Sequence, residues 1–470
     1  MNALLWAMLV ICASAESPAV GQTEQFAFKA GVARTLITPQ MPIRMSGYAA
    51  RNKPSEGVLH DLWAKALALE DHRGGKVVIL TADLIALPAD VCQQVAAHLK
   101  ARHSLERSQL LCNASHTHSG PMVWPNLRVI DGDDEQRKVI QQYTEQLKSK
   151  LIQLCDAALA DMKPARLAVG AGRCTFAVNR REPTEGGVRI GQHPKGPVDH
   201  TVPVLRAETP DGKLRALLFG YACHNTTLGA DIYQLNGDYA GFAQSELEKK
   251  FPEATAMFIM LCGGDQNPYP RGKVEHAQQY GRALADEVQR VLAGEAGEGG
   301  RGPLRPVKSH VATAFEVAML DFPPHDRETF QKELQDPNRY RQRRAALMLE
   351  AYDRGQPVRS VPCPVQAVRL GDELVLVAIA GEVVIDYALR LKREYPQHNL
   401  VVAGYSNDVP CYIPSLRVLR EGGYEPVDSM IYYGLPGPLA ETVEEKVIAA
   451  CHNVLRQVGI LPAEQATKAE

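Results

Sequence analysis

The sequence predicts an α/β fold, with a mixed β-sheet core and flanking helices. Six short apolar runs rich in β-branched residues have the length and composition of strands that are buried on both faces. Segments with helical patterning lie between several of these runs. Two turn sequences, Thr209–Gly212 and Leu370–Glu373, are typical of hairpins. The sheet is therefore expected to contain both parallel and antiparallel pairs.

The predicted strands share a chemical property, because each ends in or leads into a side chain that can catalyse a reaction or bind a metal. They are Lys76–Asp83, Leu110–Cys112 before His116 and His118, Leu214–Asn225 with His224, Ala256–Asn267 with Asp265, Leu374–Glu382, and Leu400–Asp408 before Tyr412. In open α/β sheets the ligand crevice lies at the carboxyl ends of the strands. A hydrogen-bonded loop position explains any one of these residues, but the set favours a functional site.

The most informative motif is Asn113-Ala-Ser-His-Thr-His-Ser-Gly-Pro121, in which two histidines follow an apolar run. Strand residues at i and i+2 point to the same side, so His116 and His118 are expected to face a common point. A metal site or an acid/base pair requires such an arrangement. The alternative is that both histidines lie on a surface loop. It is disfavoured because the other predicted strands also end in side chains that can bind a metal or catalyse a reaction.

Helical patterning and glycine content define the connecting segments. The predicted helices are Glu135–Met162, Tyr239–Lys250, Glu275–Leu292, Arg327–Tyr352, Val383–Glu394 and Thr442–Val458. Asp238 precedes one of them and is predicted to be its N-cap. The stretches Arg180–Gly196 and Gly294–Gly302 are predicted to be loops, the second being a candidate boundary between two lobes.

Three regions are predicted along the chain: a signal peptide over residues 1–15, a single catalytic domain over residues 26–462 and a flexible tail over residues 463–470. Apolar Ala3–Ala13 leads into the small-residue sequence Ala13-Ser-Ala15, which is typical of a secretory cleavage site. A buried segment is the alternative, because no Lys or Arg precedes the apolar stretch. We expect a secreted or periplasmic protein.

Composition limits the class of partner. The chain has 470 residues, of which 45% are hydrophobic, enough for a sizeable core. Its net charge of -2 and its interspersed lysines and arginines provide no basic stripe, which argues against a nucleic-acid partner. Outside Ala3–Ala13, no run approaches the roughly 18 to 20 apolar residues needed to span a bilayer. A small-molecule or lipid-like acyl substrate is the remaining expectation.

Several motifs resemble, in the same order, those of the neutral/alkaline non-lysosomal ceramidases. The His-x-His string looks like that family's metal-site motif. Further resemblance lies in Gly31–Pro39, Met45–Tyr48, His60–Ala66, Val198–Arg206 and Gly220–Thr227. The similarity runs from about Gly31 to about Glu425, and several ordered motifs are far more specific than one. It implies the fold of that family's catalytic domain and hydrolysis of an amide bond in sphingolipid metabolism.

The resemblance also implies a zinc ion and a set of site residues. The matching ligands are His116, His224, Glu382 and Tyr412. His118 would stand beside the metal without binding it, Tyr424 matches a second tyrosine, and Arg180 matches a substrate-facing arginine. Asp83, Asp238 and Asp265 are candidates for a general base or for a partner of the ligands, and Asp265 is kept among the catalytic candidates.

Two departures from the family affect the expected substrate. The ceramidases place a serine, proposed as the nucleophile, where this chain has Asn267, and an amide cannot act as an alkoxide. They also continue into a carboxy-terminal β-sandwich domain, whereas this chain stops at Glu470. We therefore expect long-chain ceramide to be a poor substrate.

The predicted chemistry is hydrolysis of an N-acyl amide by water that zinc activates. Two imidazoles and a carboxylate are a standard zinc set for hydrolysis. His118 and Tyr424 would donate hydrogen bonds to the developing oxyanion. Three alternatives remain open: Ser115 or Ser119 as the nucleophile, hydrolysis of an ester or phosphoester, and an inactive homologue that only binds a metal or ligand.

Overall fold

The computed structural model describes residues 27–295, 303–308 and 310–463. The strands are β1 Phe28–Leu36, β2 Gly57–Val58, β3 Trp63–Asp71, β4 Lys76–Ala82, β5 Leu110–Ala114, β6 Lys163–Arg173, β7 Ala177–Thr184, β8 Gly187–His193, β9 Thr201–Glu208, β10 Leu214–Tyr221, β11 Gln234–Leu235, β12 Thr255–Met260, β13 Gln266–Pro268, β14 Arg305–Pro306, β15 Val311–Asp321, β16 Ser360–Leu370, β17 Leu374–Ile379, β18 Glu382–Val383, β19 Leu400–Ala403 and β20 Tyr412–Ile413. The helices are α1 Ala89–His103, α2 Asp134–Ala160, α3 Asp238–Lys250, α4 Val274–Leu292, α5 Arg327–Glu333, α6 Arg339–Asp353, α7 Ile385–Glu394, α8 Leu416–Glu421, α9 Met430–Tyr433 and α10 Val443–Gln457.

The elements stack in four layers: helices, a large sheet, a smaller sheet, and helices again. The large sheet has the strand order β12-β10-β9-β6-β1-β3-β4-β5, with β14 added on β6, and helices α1 to α4 cover one of its faces. The smaller sheet, β15-β16-β17-β19, packs on the other face and is covered in turn by α7 and α10. The predicted mixed sheet with flanking helices is confirmed, and it consists of two sheets.

Alternating side chains explain why the predicted strands are continuously apolar. In β3, Leu67 and Leu69 enter the core between the two sheets, whereas Ala66 and Ala68 enter the core beneath the helices. Successive residues are thus buried on opposite faces, as is typical of a sheet covered on both sides. Alanine on the helix side lets α2 approach β1 and β3 closely.

The two sheets meet at their carboxyl ends, where the buried side chain of Asn113 joins three segments. Its amide nitrogen donates to Met260 O at 3.2 Å, to Gly404 O at 2.9 Å and to Ser406 Oγ at 3.1 Å, while its oxygen accepts from Met260 N at 2.8 Å. The ends of β5, β12 and β19 are therefore held together. His116, His224 and Asp265 follow the carboxyl ends of β5, β10 and β12, respectively.

Several predicted elements differ from the structure. One helix was predicted over Arg327–Tyr352, but α5 and α6 are separate because Pro337 has no backbone donor and Asn338 caps α6 by accepting from Tyr340 N at 2.9 Å. The predicted loop Arg180–Gly196 is mostly the hairpin β7–β8. Helix α1 was not predicted.

Two further predictions concern helix ends and the chain termini. The N-cap of α3 is Gly237, so the prediction for Asp238 is wrong; Asp238 is the first residue of the helix, and its carboxylate accepts from Leu228 N and Tyr239 N. The predicted signal peptide, most of Gly294–Gly302 and residues 464–470 lie outside the described residues. Within the part that is described, no helix has both the length and the apolar character that a membrane span requires.

Candidate metal centre and active-site cavity

His116 and His118 converge, although not through the strand geometry that the sequence suggested. Strand β5 ends at Ala114, and His116 has a left-handed backbone, with φ of 61°. The backbone nitrogen of His116 donates to Leu84 O at 2.8 Å. This turn brings the Nε2 atoms of the two rings to 3.1 Å. The predicted convergence is correct, but a kinked loop produces it.

The remaining predicted ligands arrive from the other strand ends. The short parallel pair β18–β20 sets Glu382 opposite Tyr412. Glu382 Oε2 lies 3.1 Å from His116 Nε2 and 3.0 Å from His224 Nε2. The Tyr412 hydroxyl lies 3.3 Å from His224 Nε2. The structure thus brings all four predicted ligands to one point, and each is almost completely buried.

The hydrogen bonds on the far side of the two imidazole rings show whether this set fits a cation. His116 Nδ1 donates to Ile85 O at 2.8 Å and His224 Nδ1 donates to Gly263 O at 2.7 Å, because a carbonyl can only accept. In the neutral rings, Nε2 then carries a lone pair that faces the Glu382 carboxylate. Burial, with the nearby Arg180, lowers the pKa of His224 to about 3, which favours this neutral form.

Lone pairs and a carboxylate at 3.0 Å repel one another unless a cation lies between them. The separations are close to the roughly 3.3 Å between ligand atoms that a tetrahedral zinc with bonds of about 2.0 Å requires. Backbone carbonyls that orient ligating histidines are a regular feature of zinc sites. The donor set therefore fits a zinc ion held by two imidazoles, a carboxylate and a phenol.

The charge state of Glu382 agrees with this arrangement. Burial raises the pKa of Glu382, but positive charge on the side of His116 and His224 lowers it well below its usual value, and with both rings neutral a bound cation would supply that charge. The Tyr433 hydroxyl donates to the second carboxylate oxygen, Oε1, and leaves Oε2 facing the histidines. Glu382 is therefore an anion with one oxygen directed at the candidate metal position.

His118 lies beside this set and differs from the two other histidines. Its ring faces the cavity, and among the described residues its buried Nδ1 has no hydrogen-bond partner. Burial, with the adjacent His116, lowers its pKa well below the usual value. No carbonyl orients His118 as a ligand, in contrast to His116 and His224. This difference agrees with a role next to the metal.

A glycine and a buried arginine fix the position of His118. Gly47 has φ of 91°, and a Cβ at that position would overlap the His118 ring. Arg51, which is fully buried, donates to the backbone oxygens of His118 and Ser46. The ring of Tyr48 packs edge-on against His118 with centroids 4.9 Å apart. The Met45–Tyr48 segment therefore forms one wall of the site.

Arg180 connects the candidate metal centre to a buried carboxylate. Its Nη2 donates to the Tyr412 hydroxyl at 2.9 Å, and its Nε donates to Glu425 at 2.8 Å. Arg181 also pairs with Glu425, which balances part of the double positive charge. The ring of Tyr424 lines the cavity 5.7 Å from that of Tyr412. Burial, and then the charge of Glu382, raises the pKa of Tyr424 far above its usual value, so its hydroxyl remains a donor.

The three aspartates that the sequence singled out do not line the cavity. Asp265 accepts from Ile385 N at 2.9 Å and from Asn179 Nδ2 at 3.0 Å. Burial, and then the charge of Asp386, raises its pKa to about 6. Asp83 accepts from Trp63 N and Gln244 Nε2, and Asp238 accepts from Leu228 N and Tyr239 N. The structure places Asp265 behind the site, where it aligns the segments that carry Arg180 and Glu382.

A side-chain hydroxyl group close to Asn267 could act as the nucleophile in place of a serine at that position. Asn267 lines the cavity, and Thr226 Oγ1 lies 3.2 Å from its side-chain amide. Ser115 and Ser119 are buried and do not line the cavity. Of the residues that the structure describes, Thr226 is thus the one whose aliphatic hydroxyl group belongs to the cavity lining, and sequence reasoning did not single it out.

The cavity has a volume of about 370 Å³. Its lining contains both apolar and polar side chains. The apolar part includes Ile85, Leu127, Ile130 and Ile190, and the polar part includes Tyr48, Arg180, Thr226, Asn267 and Arg271. In the described part of the chain, Glu382 is the sole carboxylate in its wall.

A second group of candidate metal ligands does not line the cavity. His98 and His103 on α1 and Asp156 on α2 have ligand atoms within 4.8 Å of one another and are partly exposed. Asp156 Oδ1 lies 2.7 Å from His103 Nε2, and Arg102 is 3.6 Å from the other carboxylate oxygen. This surface group is a natural control for metal measurements at the buried site.

The comparison with protein families bears on this site. A family model described as neutral/alkaline non-lysosomal ceramidase, N-terminal, matches residues 28–280, which is more than half of the chain. The matched range contains His116, His118, Arg180 and His224. Glu382, Tyr412 and Tyr424 lie beyond it.

Individual relatives and solved structures agree with this match. The neutral ceramidase of Drosophila melanogaster is 24% identical over 233 residues, covering 48% of this chain and 32% of the relative. That of Drosophila pseudoobscura pseudoobscura is 23% identical over 231 residues, with the same coverage. The match therefore spans about a third of each curated relative.

Two solved structures share the fold. The crystal structure of the neutral ceramidase from Pseudomonas aeruginosa has a TM-score of 0.70 at 19% identity, covering 93% of this chain and 75% of that chain. A structure described as ceramidase complexed with C2 has the same TM-score and identity, covering 91% and 74%. At this level of identity the likeness concerns the fold.

Proposed function

Because this chain belongs to the neutral/alkaline non-lysosomal ceramidase family, we propose that it is a secreted or periplasmic, zinc-dependent hydrolase of an N-acyl amide bond in a lipid-like substrate. The observation that carries the proposal is the convergence of His116, His224, Glu382 and Tyr412, whose donor atoms face one point at the base of a cavity. Export rests on the apolar Ala3–Ala13 segment and the small residues after it.

The four proposed ligands would hold a zinc ion, which supplies Lewis-acid chemistry when bound. Zinc in such a site polarises a carbonyl oxygen and lowers the pKa of water to about 7. His116 and His224 are oriented by backbone carbonyls, and Tyr433 fixes Glu382. Because the chain holds these donors before any ligand arrives, little reorganisation is needed at the moment of reaction.

His118, Tyr424 and Arg180 have the positions of groups that act on the scissile amide. Tyr424 keeps its proton and faces the cavity, so it can donate to the oxygen of the tetrahedral intermediate. His118, neutral and unpaired at Nδ1 within the described residues, can move a proton between water and the leaving nitrogen. Arg180 orients Tyr412 and contributes positive charge to the wall.

The proposed nucleophile is water, because Asn267 replaces the family's serine. During turnover we expect no acyl adduct in intact-mass spectra and no burst in pre-steady-state kinetics. Thr226→Val should retain most of the activity, since Thr226 lies near Asn267 but has no base shown to activate it. An adduct mapped to Thr226, Ser115 or Ser119 would contradict direct attack by water. Asn267→Ser is the companion variant, since it restores the hydroxyl of the family pattern.

Hydrolysis of a phosphoester is less well supported than hydrolysis of an amide. Two-metal phosphoesterases hold their ions about 3.5 to 4 Å apart and need enough ligands for both. Among the residues that the structure describes, the cavity wall offers only Glu382 as a carboxylate, and it already faces the histidines. One ion acting on an acyl carbon is therefore the preferred chemistry.

A substrate screen tests the proposed function. Zinc-loaded protein should release chromogen from N-acyl amides, and the activity should vanish with a chelator and return with zinc. Matched ester and phosphoester chromogens are the comparison, and long-chain ceramide should turn over poorly, because the cavity is about 370 Å³ and pockets for small molecules begin near 300 Å³. Cleavage of esters alone would replace the proposal with an esterase, and failure on every substrate would support an inactive binding protein.

A further inference from the structure

Arg271 introduces a positive charge into the cavity wall without a direct salt bridge in the described part of the chain; the nearby carboxylate of Asp238 is buried, does not line the cavity and already accepts from Leu228 N and Tyr239 N. The residue is partly exposed and lines the cavity, and its Nη2 donates to the Tyr48 hydroxyl at 3.1 Å. That hydroxyl in turn donates to Leu228 O at 2.8 Å. Within the described residues Arg271 takes part in no ion pair; its hydrogen-bonding neighbours, Tyr48 and Asn267, are both neutral. A guanidinium group has five N–H donors, and the two neutral acceptors around Arg271 leave several of them for a further partner.

The amide of Asn267 lies between two arginines and can satisfy only one of them with its oxygen. In one orientation the oxygen accepts from Arg180 Nη1 at 3.3 Å, and in the flipped orientation it accepts from Arg271 Nη1 at 3.0 Å. The orientation of such an amide is assigned from its hydrogen bonds. Whichever is adopted, one guanidinium group retains a donor without an acceptor in the amide. The wall therefore has more donors than acceptors here.

Charge balance separates Arg271 from Arg180. Arg180 pairs with Glu425 at 2.8 Å, whereas the wall's own carboxylate, Glu382, is engaged by the histidines and Tyr433. Arg271 is left to compensate the charge of something that enters the cavity. A guanidinium fork forms two parallel hydrogen bonds with a carboxylate or a phosphate group.

The distribution of the lining indicates which part of an amide substrate meets Arg271. The apolar lining residues Ile85, Leu127, Ile130 and Ile190 suit an acyl chain. Thr226, Asn267 and Arg271 are connected by hydrogen bonds into a polar patch that suits the amine portion. We propose that the substrate carries an anionic oxygen group, a carboxylate or a phosphate, on its amine portion, and that Arg271 binds that group. The inference rests on the proposed amide hydrolysis and adds to it the charge class of the substrate.

Three N-octanoyl compounds with one skeleton test this inference. N-octanoylserine carries a carboxylate, N-octanoylserinol phosphate carries a phosphate, and N-octanoylserinol is neutral. With the zinc-loaded full chain we expect kcat/KM for at least one anion to exceed that for the neutral compound by about tenfold, the size of one partly exposed charged hydrogen bond. The difference between the two anions identifies which group is preferred.

Variants at position 271 assign the preference to this side chain. Arg271→Gln should remove the preference and leave the neutral compound almost unchanged, while Arg271→Lys should restore part of it. Arg282→Gln is the matched control, because Arg282 is exposed on α4 and does not line the cavity. Equal rates for anionic and neutral compounds, or an equal loss for both in Arg271→Gln, would overturn the inference while amide hydrolysis stands.

Calorimetric binding keeps the inference testable if none of the compounds is hydrolysed. Affinities of the three compounds for the native chain and for Arg271→Gln are then compared in the presence of zinc. An anion preference that is lost in the variant supports the subsite even though the proposed hydrolysis has failed. Equal affinities overturn the subsite. Because zinc is retained in both proteins, direct binding of an anion to the metal cannot produce the difference between them.

Discussion

Replacing His116 or His224 by alanine is expected to lower bound zinc from about one ion per chain to a small fraction of that value, since each supplies one of four ligands. The expected loss in kcat/KM is about a thousandfold, because the ion contributes several kcal/mol to stabilising the transition state. Elemental analysis of dialysed protein measures the first effect, and hydrolysis of an N-acyl chromogen measures the second. Both rings have Nδ1 held by a carbonyl, so alanine also removes the group that the protein has oriented.

The surface cluster on α1 and α2 provides the matched control for that experiment. His98→Ala combined with His103→Ala removes two histidines that could also bind zinc, but leaves the buried site untouched. We expect this double variant to keep its tightly bound ion and its activity. Zinc that persists in both His116→Ala and His224→Ala and disappears from the surface variant would refute the buried assignment.

Removing the donors beside the metal is expected to slow the reaction without releasing zinc. His118→Ala and Tyr424→Phe should each lower kcat by about a hundredfold to a thousandfold, the usual loss for one oxyanion-stabilising donor. The reason is structural: both side chains line the cavity, and no carbonyl orients His118 as a ligand. Metal content and kcat are measured on the same samples, so that ligand and catalyst are separated.

Tyr432→Phe is the control for the tyrosine, because Tyr432 also lines the cavity and loses the same hydroxyl. It should keep most of the activity. Zinc loss in His118→Ala would show that His118 is a metal ligand, contrary to the proposed set of four. An unchanged kcat in Tyr424→Phe would show that the Tyr424 hydroxyl takes no part in the reaction.

The class of fold and the position of the site could be predicted because both depend on local patterns. The apolar runs are strands buried on both faces, and their polar ends carry His116, His224 and Glu382 to one place. What the pattern could not show is the division into two sheets. Both sheets contain the same kind of strand, so nothing local distinguishes a residue of β4 from one of β17.

The side chains that sequence reasoning missed act through contacts between distant segments. Tyr433 lies on the short helix α9 and donates to Glu382 from 51 residues away. Arg271 meets Tyr48 across 223 residues. A lone tyrosine or arginine has no spacing that marks it as functional, unlike the His-x-His pair. The Met45–Tyr48 motif was singled out only because it resembles a ceramidase motif. The contact of its Tyr48 ring with His118 is visible only in the folded chain.

The break between α5 and α6 shows the opposite kind of failure. Here the local signal was present, because Pro337 and Asn338 interrupt the helical pattern. The apolar periodicity on both sides led to a single predicted helix. Arg344 on α6 donates to Glu333 on α5, which keeps the two helices close after the interruption.

The junction of the two sheets at Asn113 also determines at which stage of folding the metal site can form. His116 and His224 follow strands of the large sheet, whereas Glu382 and Tyr412 follow strands of the smaller one. A folding intermediate that contains only the large sheet would present two imidazoles without the carboxylate or the phenol. Contacts between such distant segments form late, since loop closure must precede them. Acquisition of the complete ligand set therefore reports that both halves of the chain have docked, and a ligand that binds only this state adds its binding free energy to the stability of the docked form.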